Sequence, residues 1–180
     1  MFWHQNKINV PTQEHEDLQR AFHVALASEP SPGFIQSFSL ALPGTPWAFD
    51  GGEGYEDWYL VEDFAALGAF NDAAVSQDRT VPHDRVTAVA AGGAGGVYEL
   101  RLGSVSVLPK YAHWFHKPDG MKYQELFAEL APVVDQVQAG LWMRQMVLGP
   151  APEFCLRAGE PAALSIPFEA TVIPLHRAWP

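Results

Sequence analysis

The residues of this chain best suited to chemistry are its histidines, of which there are seven among 180 residues. A neutral imidazole can act as a general base near neutral pH or bind a metal ion through a ring nitrogen. Two of them, His4 and His116, each follow an aromatic pair, Phe2-Trp3 and Trp114-Phe115. We therefore take His4 and His116 as candidate catalytic bases. The alternative is that both are structural residues, hydrogen-bonded to the backbone near strand ends.

Two polar residues interrupt segments that otherwise have the pattern of strands facing a core. Gln36 lies among alternating apolar residues, and Arg144 lies in a second apolar segment. A polar side chain on a buried face must find a partner, which can be a ligand, a backbone group or solvent. We predict that Gln36 and Arg144 line a ligand-binding pocket together with the indoles of Trp3 and Trp114.

The spacing of histidine and cysteine does not predict a metal site. His113 and His116 are three residues apart in a predicted strand, so their side chains point to opposite faces. His15 and His23 share a broad face of a predicted helix but are two turns apart, too far for one ion. Cys155 is the one cysteine of the chain, which excludes a disulfide within it or a site of several thiolates. We predict no metal ligand, and the sequence indicates no cofactor.

Two other patterns have ordinary structural explanations. Gly92–Gly96 follows a predicted helix and precedes a predicted strand, whereas a phosphate-binding loop follows a strand and opens a helix. We therefore expect a helix end and a turn there. His83 and Asp84 are expected in the first turn of a helix, where neighbouring side chains rarely face each other.

Composition and charge restrict the classes of partner. The chain has 21 acidic and 11 basic residues and a net charge of −10, which argues against binding nucleic acid or an anionic membrane. Its hydrophobic content of 48% is enough for a sizeable core. No apolar run approaches the ~20 residues that span a membrane. A single cysteine is typical of a reducing compartment, so we expect a cytoplasmic protein.

The hydrophobic patterns predict two related halves, residues 1–103 and 104–180. The first half has the order β-α-β-β-α-β, and the second has β-α-β-β with its last helix and strand missing. Pro174 is expected to place the final strand at a sheet edge. The predicted strands are 2–9, 34–42, 57–62, 97–102, 112–116, 141–148 and 170–176, and the predicted helices are 13–28, 63–76, 82–91 and 121–137.

Two adjacent units of this order resemble the dimeric α/β-barrel superfamily of ferredoxin-like folds. That superfamily includes cofactor-independent antibiotic-biosynthesis monooxygenases, muconolactone isomerases, stress-responsive barrel proteins and haem-binding chlorite-dismutase-like proteins, and some members fuse both halves in one chain. The resemblance rests on element order, covers most of the chain and includes no diagnostic motif, so no catalytic residue is transferred. It implies an α+β fold of two tandem ferredoxin-like repeats, whose antiparallel sheets have helices on one face, and an apolar cavity. The incomplete second half departs from the superfamily.

The expected function is the binding of a small apolar or aromatic molecule, and a cofactor-independent activity of the monooxygenase or isomerase type is left open. One alternative is a non-catalytic interaction protein, because several of the six tryptophans and eleven phenylalanines fall in predicted loops. Another is haem binding, which needs an accessible histidine as axial ligand. We also expect a homo-oligomer that covers the incomplete sheet edge of the second half.

Overall fold

The chain folds into two compact units. A computed structural model describes residues 1–7, 9–45, 47–48, 54–105, 108–145, 149, 151–165 and 168–179. Unit 1 comprises residues 1–44, 51–95 and 177–180, and unit 2 comprises residues 45–50 and 96–176. The main division therefore lies between residues 95 and 96 instead of after residue 103, and the last residues of the chain return to unit 1.

The described residues form ten strands and four α-helices. The strands are β1 (Phe2–Asn6), β2 (Phe34–Leu42), β3 (Gly54–Val61), β4 (Ala90–Gly95), β5 (Val97–Gly103), β6 (Tyr111–Phe115), β7 (Gly140–Gln145), β8 (Phe154–Ala158), β9 (Thr171–Pro174) and β10 (His176–Trp179). The helices are α1 (Thr12–Ser28), α2 (Phe64–Ala74), α3 (Thr80–Val89) and α4 (Tyr123–Gln136), and a 3-10 turn (Gln77–Arg79) precedes α3. The prediction of an α+β fold with antiparallel sheets is confirmed. Within the described ranges, no helix combines the length and apolarity needed to cross a membrane.

The sheet of unit 1 has the strand order β10-β2-β3-β1-β4. Strand β3 pairs antiparallel with β2 and β1, and β1 pairs antiparallel with β4. Along β2, the buried residues Phe38, Leu40 and Leu42 alternate with Ser37 and Ser39. Both serines contact side chains of α1, so the sheet face under α1 is the polar one.

Helix α1 buries a more polar face than its sequence pattern predicts. The pattern predicts an apolar face that includes Leu18, Ala21 and Ala25, but Ala21 is exposed and the other two are half-buried. The buried residues are His15, Gln19, Phe22, His23 and Leu26. This face is buried because the sheet beneath α1 offers it hydrogen-bonding partners.

The glycine run predicted as a helix end and a turn is mostly strand β4. Gly93 pairs with His4 across the ladder between β4 and β1. A Cβ atom at Gly93 would lie 2.3 Å from the ring of Phe2 and 2.6 Å from the carbonyl oxygen of Trp3. Glycine therefore allows β4 to lie closely against β1, and the turn prediction is wrong. The strand predicted at 97–102 is β5, which belongs to unit 2.

The sheet of unit 2 has the strand order β5-β7-β8-β6-β9, and its core is apolar. Residues of α4 such as Leu126 and Leu130 are buried with Phe115, Phe154 and Leu156 from the sheet. Strand β9 ends at Pro174 and lies at the sheet edge, as predicted. Strand β8 was not predicted, because all five of its residues are buried and no alternation marks it. Residues 146–148 of the predicted strand 141–148 lie outside the described residues.

Candidate functional site

A buried carboxylate, Asp57 of β3, lies at the centre of a polar cluster between α1 and the sheet of unit 1. Its Oδ2 atom lies 3.0 Å from His4 Nε2 and accepts hydrogen bonds from Gln19 Nε2 at 3.0 Å and from the Tyr59 hydroxyl at 3.2 Å. Its Oδ1 atom lies 3.6 Å from His23 Nε2. We call these five residues, from β1, α1 and β3, the Asp57 cluster.

The cluster keeps Asp57 ionised. Burial alone raises the pKa of Asp57, but the opposing effects of His4 and His23 outweigh it and hold the pKa well below its usual value. An ionised carboxylate only accepts hydrogen bonds, so His4 donates to it in the tautomer that carries a proton on Nε2, an atom that also lies 2.5 Å from Gln19 Nε2. In that tautomer the lone pair of the ring is on Nδ1. Burial and the charge of Asp57 raise the pKa of Tyr59 well above 10, so its hydroxyl remains a donor.

Two serines of β2 fix the orientation of the α1 side chains. The Ser39 hydroxyl donates to Gln19 Oε1 at 2.7 Å, which directs the amide NH2 of Gln19 towards Asp57. Ser37 Oγ lies 2.7 Å from His23 Nδ1. The His23 ring also stacks on the Tyr59 ring, with centroids 5.5 Å apart. The rotamers around the carboxylate are therefore set by contacts on several sides.

His15 lies beside the cluster without joining its hydrogen bonds. It is fully buried, and its ring packs 5.2 Å from that of His4 and 4.8 Å from that of Tyr55. Within the part of the chain that the structure describes, neither ring nitrogen of His15 has a hydrogen-bonding partner. Burial and the nearby His4 lower its pKa to about 4, although Asp57 acts in the opposite direction. His15 is therefore neutral at pH 7.

A cavity of about 330 Å³ borders the cluster. Four of its lining residues belong to the cluster: His4, Gln19, Asp57 and Tyr59. Most of the remaining wall is apolar and includes Phe22, Phe70 and Val86. The site is thus a mostly apolar cavity with a small number of hydrogen-bonding side chains in its wall, which is the usual composition of a small-molecule site.

His83 of α3 lines the same cavity from another element. Its side chain is 29% exposed, and its ring meets that of Phe22 edge-on at 5.6 Å. Its Nδ1 atom lies 3.1 Å from Asp84 Oδ1, so these neighbours do face each other, contrary to expectation. The cavity wall therefore carries one imidazole that is buried and one that reaches solvent.

Of the six predicted site residues, His4 alone is part of the Asp57 cluster. Trp3 is buried, but strand alternation places it on the opposite face of β1 from His4. Gln36 is exposed on β2, beside an irregularity in its pairing with β3, so it does not interrupt a buried face. Neither Trp3 nor Gln36 lines the cavity.

The three predicted site residues of unit 2 have separate surroundings. His116 is exposed and lies just beyond the end of β6, so it does not occupy the position that His4 has within β1. Trp114 is buried, with its ring 5.7 Å from that of Tyr98. Arg144 donates hydrogen bonds to the carbonyl oxygens of Gly149 and Ala151, so its partners are backbone groups.

Sequence reasoning did not identify Gln19, His23, Asp57 and Tyr59 as site residues. One signal was present, since His15, Gln19 and His23 recur every four residues on one helix face. The spacing of His15 and His23 is too wide for direct chelation of one metal ion, but the pattern places three polar side chains on the same side of α1. Within the described ranges, no group of three or more His, Cys, Asp or Glu side chains is placed to hold a metal ion.

Comparison of the chain with known protein families, with characterised proteins and with solved structures finds no match.

Proposed function

We propose that unit 1 binds a small, largely apolar molecule with one polar group in the cavity beside the Asp57 cluster. The observation that carries this proposal is the cavity itself, whose mostly apolar wall contains a small number of hydrogen-bonding side chains. Such an arrangement holds a ring system by burial of its surface and orients it by a few hydrogen bonds.

The polar cluster is difficult to explain as a device for stability. A buried ionic cluster stabilises a fold less than apolar packing of similar volume does, because its groups lose their hydration. The layer between α4 and the sheet in unit 2 is filled by apolar side chains such as Leu126, Leu130 and Phe154. A helix-covered sheet in this chain therefore folds with an apolar layer, which supports a functional reason for the polar layer of unit 1.

The size and chemistry of the cavity favour a particular class of ligand. Its volume of about 330 Å³ is at the lower end of the ~300–1,000 Å³ typical of ligand pockets, which favours one or two rings over a macrocycle such as haem. Asp57 is already surrounded by donors, so it is better suited to orienting His4 and Tyr59 than to binding a ligand cation. We therefore expect the polar group of the ligand to be a hydroxyl or a carbonyl that faces His4.

The strand orders support the proposal that the chain is a tandem ferredoxin-like protein of the dimeric α/β-barrel type. In unit 1 the order β10-β2-β3-β1-β4 is an added strand followed by the second, third, first and fourth strands of that half. In unit 2, β5-β7-β8-β6-β9 repeats this order when β6 is taken as the first strand. The repeat would then be one of strand order, since the described residues between β8 and β9 form no helix. A homo-oligomer remains a prediction.

Binding can be tested by fluorescence titration with one- and two-ring hydroxyl or carbonyl compounds, starting with 2-naphthol. Val75 lines the cavity and is 52% exposed, whereas Val24 of α1 is 47% exposed and lies outside the cavity wall. We expect saturable binding that Val75→Trp weakens at least tenfold and the matched control Val24→Trp does not. Absence of saturable binding across the series, or equal affinities for the two variants, would contradict the proposal.

A further inference from the structure

We infer that the cavity of unit 1 isomerises an enolisable, unsaturated carbonyl compound by moving a proton, with His4 as the base and His83 as the acid. This inference rests on the proposed binding function and names the class of substrate. It follows from two imidazoles on different elements that line one apolar cavity, each beside a carboxylate.

His4 has the surroundings of a general base. Its Nε2 atom lies 3.0 Å from Asp57, and its ring is only 2% exposed. A carboxylate bound to one ring nitrogen fixes the tautomer and stabilises the imidazolium that forms when the other nitrogen takes a proton. Asp57 is held in turn by Gln19 and Tyr59. His4 is therefore oriented by an anion that does not itself have to bind substrate.

His83 has the surroundings of a proton donor that returns to equilibrium with water. Its partly exposed ring lines the cavity wall and reaches solvent, and its Nδ1 atom lies 3.1 Å from the Asp84 carboxylate. Since α3 carries His83 and β1 carries His4, the two rings approach a bound molecule from different elements. A proton removed at one carbon and a proton supplied at another need two such groups.

The reaction balances without any further reactant. His4 removes a proton from the carbon next to the carbonyl of a β,γ-unsaturated ketone, and the C–H electron pair forms a new C=C bond to give a dienolate. His83 then donates a proton to the γ carbon as the C=O bond re-forms, giving the α,β-unsaturated ketone. His4 ends protonated and His83 neutral, and exchange with water restores both. No atom is oxidised or reduced overall.

The remaining groups of the cavity wall favour this chemistry over nucleophilic catalysis. Among its described lining residues there is no cysteine or serine. The hydroxyl of Thr87 donates to the carbonyl oxygen of Asp84. Tyr59 keeps its proton, because burial and Asp57 raise its pKa, so it is not a nucleophile either. The titratable side chains of the wall therefore suit the transfer of protons.

The test is the conversion of 3-cyclohexenone into 2-cyclohexenone in D2O, followed by NMR above the spontaneous rate. Wild-type protein should accelerate the reaction and place deuterium at the γ carbon. His4→Gln should lower the rate by about 10²–10⁴-fold, the usual contribution of a general base. His83→Gln should lower γ-deuteration at least tenfold while exchange at the α carbon continues. His176→Gln, at an exposed position outside the cavity, is the matched control and should leave both rates unchanged.

The same samples separate failure of this inference from failure of the binding proposal. Circular dichroism and a cooperative urea unfolding transition first show that each variant is folded. If 3-cyclohexenone displaces 2-naphthol but is not isomerised, or if His4→Gln is as active as wild type, the inference is overturned and binding stands. If neither compound binds, both proposals fail. If His83→Gln loses α-exchange and isomerisation equally, His83 is not the separate acid and the two-histidine assignment is overturned.

Discussion

Replacing His15 with leucine should stabilise the protein, and by more at pH 5 than at pH 7. His15 is fully buried, with no hydrogen-bonding partner for either ring nitrogen among the described residues. An unsatisfied buried polar group costs about 1–3 kcal/mol, which leucine removes. Leucine also loses the ring contacts with His4 and Tyr55, each of them about 0.5–1.5 kcal/mol. His15 has two such groups, its two ring nitrogens, so their combined cost exceeds the value of the two ring contacts, and at pH 7 we expect a net gain of about 2 kcal/mol in the free energy of unfolding.

A second effect of His15 is its dependence on pH. Its pKa is about 4 in the folded protein against 6.5 for an ordinary histidine, so between these values the unfolded chain binds a proton that the folded protein excludes. The stability present above pH 6.5 is lost as the pH falls towards 4, at about 1.4 kcal/mol per unit. Between pH 7 and pH 5, the free energy of unfolding of the wild-type protein should fall by about 2 kcal/mol because of His15. His15→Leu lacks that loss, so its advantage should grow by the same amount.

Urea unfolding followed by far-UV circular dichroism at pH 7 and pH 5 measures both quantities. His176→Leu is the control, because it removes a histidine whose side chain is exposed instead of buried. The comparison between the two pH values cancels the change in packing, which is equal in both. If His15→Leu were destabilising at pH 7, or if its effect were the same at both pH values, the account of a buried, neutral and unpartnered His15 would be refuted.

Four further substitutions, one of them a matched control, test other parts of the structure by urea unfolding. Asp57→Asn should lower the free energy of unfolding by about 3 kcal/mol at pH 7. It replaces the charged acceptor of three hydrogen bonds with a neutral one, and each of these bonds is then weaker by about 1 kcal/mol. Unchanged stability would show that the cluster is not assembled around a charge. Leu130→Ala should cost about 2–5 kcal/mol by opening a cavity in the core of unit 2. Its folded form should bind 2-naphthol as wild type does, and a loss of affinity would connect unit 2 to the site. Gly93→Ala should lower the free energy of unfolding by about 1–3 kcal/mol, because the added Cβ atom meets the ring of Phe2. The control Gly68→Ala lies in open space on α2 and should raise it by about 0.5–1 kcal/mol. Equal effects of the two substitutions would contradict the close packing of β4.

The elements that sequence reasoning predicts are those with a local signal. Helix α2 begins after Asp63, whose side chain accepts a hydrogen bond from the backbone N–H of Ala66, as expected of an N-cap. Strand β9 lies at a sheet edge, as Pro174 indicates. Strand β4 was not predicted, because a run of glycines has no side-chain pattern, and the space at Gly93 depends on where β1 lies.

The candidate site depends on contacts that no local pattern contains. His4 was identified by its sequence neighbourhood, but its partner Asp57 is 53 residues away and comes next to it only when β1 pairs with β3. His116 has a similar neighbourhood, yet it lies one residue beyond the end of β6 and is exposed. The direction of a side chain relative to a core is set by strand pairing, so similar short segments can place their histidines in different surroundings.

The most direct test of the central claim is a crystal structure of the protein soaked with 2-naphthol. The proposal predicts ligand density in the cavity of unit 1, with the ring system against Phe22 and Phe70 and the hydroxyl oxygen within about 3 Å of His4 or Tyr59. A ligand bound elsewhere, or a cavity that stays without ligand at saturating 2-naphthol, would contradict the claim that the Asp57 cluster forms part of the wall of a binding site.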